Sequence, residues 1–103
     1  MPTLPLVGHE LGGYRLQGVL ARGGMSVVYE AESPRVGGTV ALKVLAPELS
    51  EDDTFRTQFL RESRIAASLN HPNVVPIFDA GAADDLLYIA MRYVRGADLR
   101  TVL

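Results

Sequence analysis

The chain of 103 residues contains no cysteine, which excludes disulfides, thiolate metal sites and a cysteine nucleophile. It also lacks a long apolar run, because the longest, residues 86–91, is far shorter than the roughly 20 residues that a membrane span needs. The net charge of −2 gives no basic field that would favour nucleic acid or an anionic membrane. Residues 1–13 lack the features of a secretory signal. We therefore expect a soluble, cytoplasmic segment, with any membrane anchor of the full-length protein lying beyond it.

The length allows one compact domain, and the composition of 48% hydrophobic and 21% charged residues is ordinary for a globular protein. Residues 1–13 are rich in proline and glycine, show no period, and are predicted to form a flexible leader. The remaining residues, 14–103, show the periodic patterns of secondary structure and are predicted to form the domain.

Short β-branched and aromatic segments predict five strands, at residues 14–20, 27–29, 39–45, 74–78 and 86–94. A helix is predicted between the third and fourth strands, because four apolar residues recur there at three- and four-residue spacing: Phe55, Phe59, Ala66 and Leu69. Pro72 ends that helix, and Gly96 leads into the start of another. Short links between strands favour antiparallel pairing. The predicted fold class is α+β, a five-stranded antiparallel sheet with one packed helix, truncated at the start of the following helix.

Two charged residues fall on apolar faces of this predicted fold. With a period of two, Lys43 shares a face of the third strand with Ala41 and Leu45. Glu62 lies three residues after Phe59, which places it within the apolar stripe of the helix. Since a lone buried charge is expensive, the two are expected to pair where the helix packs on the strand. A buried pair is weak support for stability, so this pair indicates a functional role.

Each of the two residues also has a structural interpretation. A lysine in a strand can lay its stem on apolar surface while its ammonium reaches water. A single glutamate can lie at the edge of the apolar stripe of its helix. Residue types alone leave both interpretations open.

A glycine-rich loop joins the first two strands, with the sequence Leu20-Ala21-Arg22-Gly23-Gly24-Met25-Ser26-Val27-Val28. A loop with few side chains lets backbone N–H groups approach phosphate oxygens. It is not a Walker A loop, because no Gly-Lys-Ser or Gly-Lys-Thr follows, nor a dinucleotide fingerprint, because it opens into a strand. Taken alone, Gly23 and Gly24 are compatible with an ordinary turn.

Four segments together carry a more specific pattern. Residues 21–28 match Gly-x-Gly-x-x-Gly-x-Val in Gly23 and Val28, and the strand sequence Val-Ala-Leu-Lys at residues 40–43 matches Val-Ala-Ile-Lys. A helical glutamate, Glu62, precedes Leu-Asn-His-Pro-Asn-Val-Val at residues 69–75, and residues 88–96 match a fifth strand and hinge. In order and spacing the chain resembles the protein kinases, most closely the bacterial (Hanks-type) serine/threonine branch, over about residues 14–103. The resemblance implies the amino-terminal lobe alone.

The resemblance also implies roles for individual residues. In the family the strand lysine contacts the α- and β-phosphates of ATP and pairs with the helix glutamate, which assigns Lys43 and Glu62 as catalytic residues. The loop backbone that would cover the phosphates comprises Ala21, Arg22, Gly23, Gly24, Met25 and Ser26. The positions around the nucleoside are Val28 and Ala41 (the adenine sandwich), Met91 (the gatekeeper), Arg92 and Val94 (backbone contacts to adenine) and Asp98 (the ribose). Without the resemblance, Val28, Ala41 and Met91 would be ordinary core residues.

The sequence departs from the family pattern at three positions. Ala21 and Ser26 replace the first and third glycines, and Arg92 stands where glutamate is usual. Ala21 is unstrained only if its φ is negative. Arg92 is expected to be exposed, and its backbone contact is expected to survive the change.

The catalytic-loop His-Arg-Asp, the Asp-Phe-Gly magnesium site and the Ala-Pro-Glu segment do not occur in this sequence. The resemblance implies ATP and Mg²⁺ as cofactors, with the magnesium ligands in the missing carboxyl-terminal lobe and no metal ligand here. The predicted function is the ATP-binding lobe of an enzyme that transfers the γ-phosphate of ATP to serine or threonine hydroxyls, inactive as an isolated fragment. Protein substrates would dock through the missing lobe. The alternatives are a pseudokinase or regulatory nucleotide-binding module, and a small α+β interaction module.

Overall fold

The structure is a computed structural model that describes residues 7–33, 37–68 and 77–93. Six strands are described: β1 (Glu10–Leu11), β2 (Tyr14–Arg22), β3 (Ser26–Ser33), β4 (Gly38–Leu45), β5 (Ile77–Ala83) and β6 (Leu86–Arg92). Two helices lie between β4 and β5: α1 (Pro47–Ser50) and α2 (Asp53–Ser68). The predicted antiparallel sheet with one long helix is therefore confirmed, with one more strand than expected.

The additional strand, β1, comes from the segment that was predicted to be a flexible leader. Gly12 and Gly13 both adopt positive φ, 59° and 88°, and make the two-residue reversal that places Leu11 opposite Tyr14. Such turns between antiparallel strands favour glycine, because both central residues adopt the left-handed backbone conformation with positive φ. Leu11 is 1% exposed, so the leader contributes to the core. The sequence did not indicate this strand, because a two-residue strand is too short to show a period.

All six strands form one antiparallel sheet in the order β1-β2-β3-β4-β6-β5. Alternate residues of each strand point to opposite faces. One face carries the main core, which consists of Leu11, Tyr14, Leu16, Val27, Tyr29, Ala31, Val40, Leu42, Val44, Leu86, Tyr88 and Ala90. The opposite face carries a smaller buried cluster, and the candidate functional residues lie beside it.

The sheet curls so that its two ends approach each other over the main core. The Tyr14 hydroxyl on β2 donates a hydrogen bond to Asp79 Oδ2 on β5, 3.0 Å away, although three strands separate β2 from β5 in the sheet. The rings of Tyr14 and Tyr88 meet edge to face with centroids 5.8 Å apart. These contacts close the core and fix the curvature of the opposite face.

Helix α2 begins after Asp52, whose Oδ1 accepts hydrogen bonds from the backbone N–H groups of Thr54 and Phe55. This side-chain cap satisfies donors that have no partner within the helix. Along the helix, Phe55 and Phe59 stack with centroids 6.1 Å apart, and α2 packs mainly against β5. Among the helices in the described part of the chain, none is long and apolar enough to cross a membrane.

Gly81→Ala is expected to destabilise the fold, because a methyl group at this position would meet Tyr88 Oη at 2.8 Å. Tyr88 is 7% exposed and packs against Tyr14, so it has little room to move. We expect a loss of about 1–3 kcal/mol in the free energy of unfolding, measured by urea denaturation. Gly38→Ala is the matched control, because nothing lies within 4 Å of its added methyl group. Equal stability of the two variants would show that Tyr88 does not pack closely over Gly81, against this description of the sheet.

Asp85→Gly is expected to stabilise the fold, because Asp84 and Asp85 form the β5–β6 turn with positive φ values of 51° and 63°. Glycine adopts this conformation without the strain that a β-carbon causes. The Ser50 hydroxyl donates to the Asp85 backbone carbonyl, so that contact survives the substitution. We expect a gain of roughly 0.5–1 kcal/mol, measured by thermal denaturation. Asp53→Gly, in the first turn of α2, should instead lower stability, and a lower melting temperature for Asp85→Gly would refute the turn assignment.

Candidate functional site

A small apolar cluster lies on the face of the sheet opposite the main core. It consists of Val28 on β3, Ala41 on β4 and Met91 on β6, which are 0%, 1% and 5% exposed. Ala41 and Met91 are direct partners across β4 and β6, so the two side chains are neighbours. The structure therefore brings together the three residues that the resemblance assigned to the adenine site.

Lys43 lies on the same face of β4 as Ala41, two residues further along the strand. Its cross-strand partners are Val28 on β3 and Ile89 on β6, both apolar. The residue is half-buried, and this burial lowers the pKa of the Lys43 ammonium. The predicted placement of a cation within an apolar face is confirmed at this strand.

The tip of the glycine-rich loop, residues 23–25, joins β2 to β3 and ends three residues before Val28 of the cluster. The Gly23 N–H donates to the Ser26 carbonyl at 2.8 Å, which closes the reversal into β3. The Ala46 N–H donates to the Met25 carbonyl at 2.8 Å, which attaches the loop to the end of β4. Open space surrounds the position of a β-carbon at Gly24. The loop is therefore anchored at its base, and its backbone is not covered by side chains at Gly24.

The substitutions in the glycine pattern fit this geometry. Ala21 lies within β2, pairs with Val28, and is not among the described residues with positive φ. It therefore carries none of the strain that an alanine with positive φ would have. Ser26 is 6% exposed and begins β3, whereas Met25 is 54% exposed at the tip of the loop. The Arg22 side chain is exposed at the end of β2.

Glu62 lies on the exposed side of α2 and not on the buried stripe where the sequence predicted it. It is exposed, and its Oε1 accepts a hydrogen bond from Gln58 Nε2 at 3.2 Å. The predicted burial of Glu62 in a pair with the sheet lysine is therefore wrong in this structure. The buried side of α2 passes instead through Ser63, which is 6% exposed. Since consecutive helical residues are rotated by roughly 100°, a stripe through Ser63 turns Glu62 toward solvent.

The remaining predicted site residues lie toward the end of β6. Arg92 is its last residue, and its side chain is exposed, as expected. Val94 and Asp98 lie outside the described residues. In the described part of the chain, no group of three or more His, Cys, Asp or Glu side chains is placed to hold a metal ion.

Several residues near the cluster were missed by reasoning from the sequence. Five partly buried side chains pack against it: Leu20, Ala21, Ile77, Ile89 and Tyr93. Of these, only Ala21 was assigned to the site. The strand period could have identified Ile89, because it shares a face with Met91. Leu20 could not be placed in this way, because two register shifts in the β2–β3 pairing break the alternation of β2.

These parts suit a ligand that is flat and apolar at one end and anionic at the other. The apolar cluster would contact a planar ring after the side chains that pack over it move aside, while Lys43 lies opposite Val28, two residues from the end of the loop. An ammonium in a partly desolvated site interacts with an anion more strongly than an exposed one does. The residues present thus fit a nucleoside polyphosphate by their chemistry.

Comparisons with known proteins agree with this geometry. The family model of the protein kinase domain matches residues 14–103. Serine/threonine-protein kinase PknH of Mycobacterium bovis is 47% identical over 97 residues, which cover 94% of this chain and 16% of the relative. Serine/threonine-protein kinase PknE of Mycobacterium tuberculosis is 47% identical over 96 residues, covering 93% of this chain and 17% of that relative. The chain thus spans about a sixth of the length of these relatives.

Solved structures give the same result for the fold. The crystal structure of the Mycobacterium tuberculosis PknI kinase domain superposes with a TM-score of 0.82 at 38% sequence identity. The match covers 96% of this chain and 40% of that kinase domain. Together with the match to the family model, these similarities show that the chain belongs to the protein kinase family, of which it contains the amino-terminal lobe.

Proposed function

We propose that the chain is the ATP-binding lobe of a serine/threonine kinase that transfers the γ-phosphate of ATP to protein hydroxyls. The observation that carries the proposal is the half-buried Lys43 beside an apolar cluster and a glycine-rich loop. The relatives in the comparisons are named serine/threonine-protein kinases, which supports the same class of reaction.

The binding roles follow from the positions of the side chains. Val28 and Ala41 offer apolar surface to the faces of adenine, and Met91 limits the depth of the site. The backbone of Arg92 and Val94 would hydrogen-bond the adenine edge, and Asp98 would contact the ribose. An adenine ring must displace the side chains that cover the cluster, because Val28 and Ala41 are almost fully buried.

The phosphate end of the site is the part where charge on the protein would meet charge on the ligand. Lys43 would hold the α- and β-phosphates, and the backbone of residues 21–26 would cover them. Neutralising these oxygens and fixing their orientation is what a kinase contributes to a transfer that needs little covalent chemistry from the protein. Bound Mg²⁺ would supply further neutralisation of the phosphate charge, and the residues that would hold it are expected outside this chain.

Glu62 would stabilise the productive position of Lys43 after a rotation of α2. The Gln58–Glu62 hydrogen bond opposes that rotation only weakly, because an exposed pair at this spacing is worth about 0.2–0.5 kcal/mol. We infer that contacts from the carboxyl-terminal lobe decide whether Glu62 reaches Lys43. Pairing of this kind is a control point in protein kinases.

Lys43→Met is expected to weaken ATP binding about 10-fold or more, because a charge-assisted hydrogen bond contributes about 1.5–3 kcal/mol. Binding would be measured with a fluorescent ATP analogue and confirmed by displacement with ATP. The free energy of unfolding is measured in parallel, so that a loss of binding is distinguished from a loss of folding. Arg15→Met, which removes an exposed cation of β2, is the matched control and should bind normally. Equal affinities for the two variants would remove the basis of the proposed site.

The purified chain is expected to bind ATP without transferring phosphate. The transfer needs a carboxylate that accepts the hydroxyl proton and further ligands for Mg²⁺, and the catalytic motifs that supply them do not occur in this sequence. The assay uses radiolabelled ATP with a generic protein substrate, and a complete kinase of the family serves as the positive control. Robust turnover that is lost in Lys43→Met would show that the chemistry resides in this lobe, against the proposal.

A further inference from the structure

The chain contains three methionines and no cysteine, so its only sulfur atoms are thioethers. Of the two methionines that the structure describes, Met91 is 5% exposed within the apolar cluster, whereas Met25 is 54% exposed at the tip of the glycine-rich loop. Met1 lies outside the described residues. Because oxidation of a thioether requires contact between the sulfur and the oxidant, a dissolved two-electron oxidant is directed to Met25 and not to Met91.

The surroundings of Met25 allow its side chain to change without loss of the fold. The side chain belongs to neither buried cluster of the described residues, so a polar group there is not forced into the core. The Met25 carbonyl accepts a hydrogen bond from the Ala46 N–H, and the Gly23 N–H donates to the Ser26 carbonyl, both at 2.8 Å. These backbone contacts hold the loop tip independently of the Met25 side chain. Open space at Gly24 leaves a route for a small reagent.

We propose that Met25 is an oxidation site for hydrogen peroxide, and that its sulfoxide weakens the binding of phosphate groups to the loop. A lone pair of Met25 Sδ attacks one oxygen of the peroxide, so an S–O bond forms. The peroxide O–O bond breaks, and the leaving hydroxide takes the proton of the transferred oxygen and becomes water. The thioether loses two electrons to the peroxide, which is the oxidant, and no other reagent is needed.

The effect on phosphate groups follows from the polarity of the new group. Oxidation converts a flexible apolar side chain into a polar one. The sulfoxide oxygen carries partial negative charge and accepts hydrogen bonds, as phosphate oxygens do. It therefore repels a phosphate at the loop, and it competes for backbone N–H groups at the loop tip that a phosphate would otherwise use. The effect on ATP rests on the proposed function, whereas the oxidation of Met25 does not.

The first experiment treats the purified chain with dilute hydrogen peroxide and measures sulfoxide formation at each methionine by peptide mass spectrometry. Met25 and Met91 fall in different tryptic peptides, because Arg35 and Arg64 lie between them. We expect Met25 to be oxidised several times faster than Met91 in the folded chain. In urea the two rates should converge, because both thioethers are then exposed. Equal rates in the folded chain would overturn the proposal.

The second experiment compares the dissociation constant for ATP before and after oxidation, measured by displacement of the fluorescent analogue. We expect it to rise severalfold when Met25 becomes the sulfoxide, and to return after treatment with methionine sulfoxide reductases, which restore the thioether. Met25→Leu is the matched control, because leucine has a similar volume without sulfur, and peroxide should not change the dissociation constant of this variant. Met25→Gln, which adds a side-chain carbonyl oxygen, should bind ATP more weakly than Met25→Leu without any peroxide.

The outcomes separate this inference from the proposed function. Selective oxidation of Met25 in a chain that binds ATP equally well before and after treatment would overturn the inference and leave the proposed function intact. A loss of affinity that also occurs in Met25→Leu would assign the effect to another residue and overturn the inference as well. A lack of ATP binding by the untreated chain would refute the proposed function, and with it the effect on ATP, while the mass spectra would still decide whether Met25 is the oxidation site.

Discussion

The cost of removing the Lys43 ammonium from water is the constraint on which the candidate site depends. β4 sends Val40, Leu42 and Val44 into the main core, so the alternation of the strand leaves Ala41 and Lys43 on the opposite face. With Val28 and Ile89 as its cross-strand partners, the Lys43 side chain leaves the sheet between apolar residues. A fold gains little stability from such a residue, but an anionic ligand gains a partner that water screens only in part. The strand register thus positions the cation without any dedicated loop.

Much of this site could be predicted from the sequence, because it lies on regular strands. A period of two places Lys43 with Ala41, and the structure adds only which neighbours lie across the sheet. Leu20 was missed because shifts in the β2–β3 register break that period. The first strand was missed because the Gly12-Gly13 sequence alone does not show that Leu11 pairs with Tyr14. That pairing is what makes the two glycines a turn between strands. Local patterns are informative where the backbone is regular and uninformative where a turn or bulge sets the register.

The orientation of α2 could not be predicted from its sequence for a different reason. The apolar stripe of a helix is wide, and packing against the sheet selects the part of it that is buried. Here Phe55, Phe59 and Ser63 lie on the packed side, so Glu62 is left outside. Because the choice depends on contacts between elements, it can also change when further elements pack against the helix. The position of Lys43 is therefore set by the strand register. The orientation of Glu62 is set by the way in which α2 packs against other elements.

The burial of Val28 and Ala41 has a consequence for any ligand that stacks on them. A planar ring can stack on them only in an open form, in which the side chains that cover them have moved aside. The apparent dissociation constant then equals the intrinsic one divided by the fraction in the open form. Ligands that first contact the phosphate end and later settle on the apolar surface would show two kinetic phases, the second independent of ligand concentration.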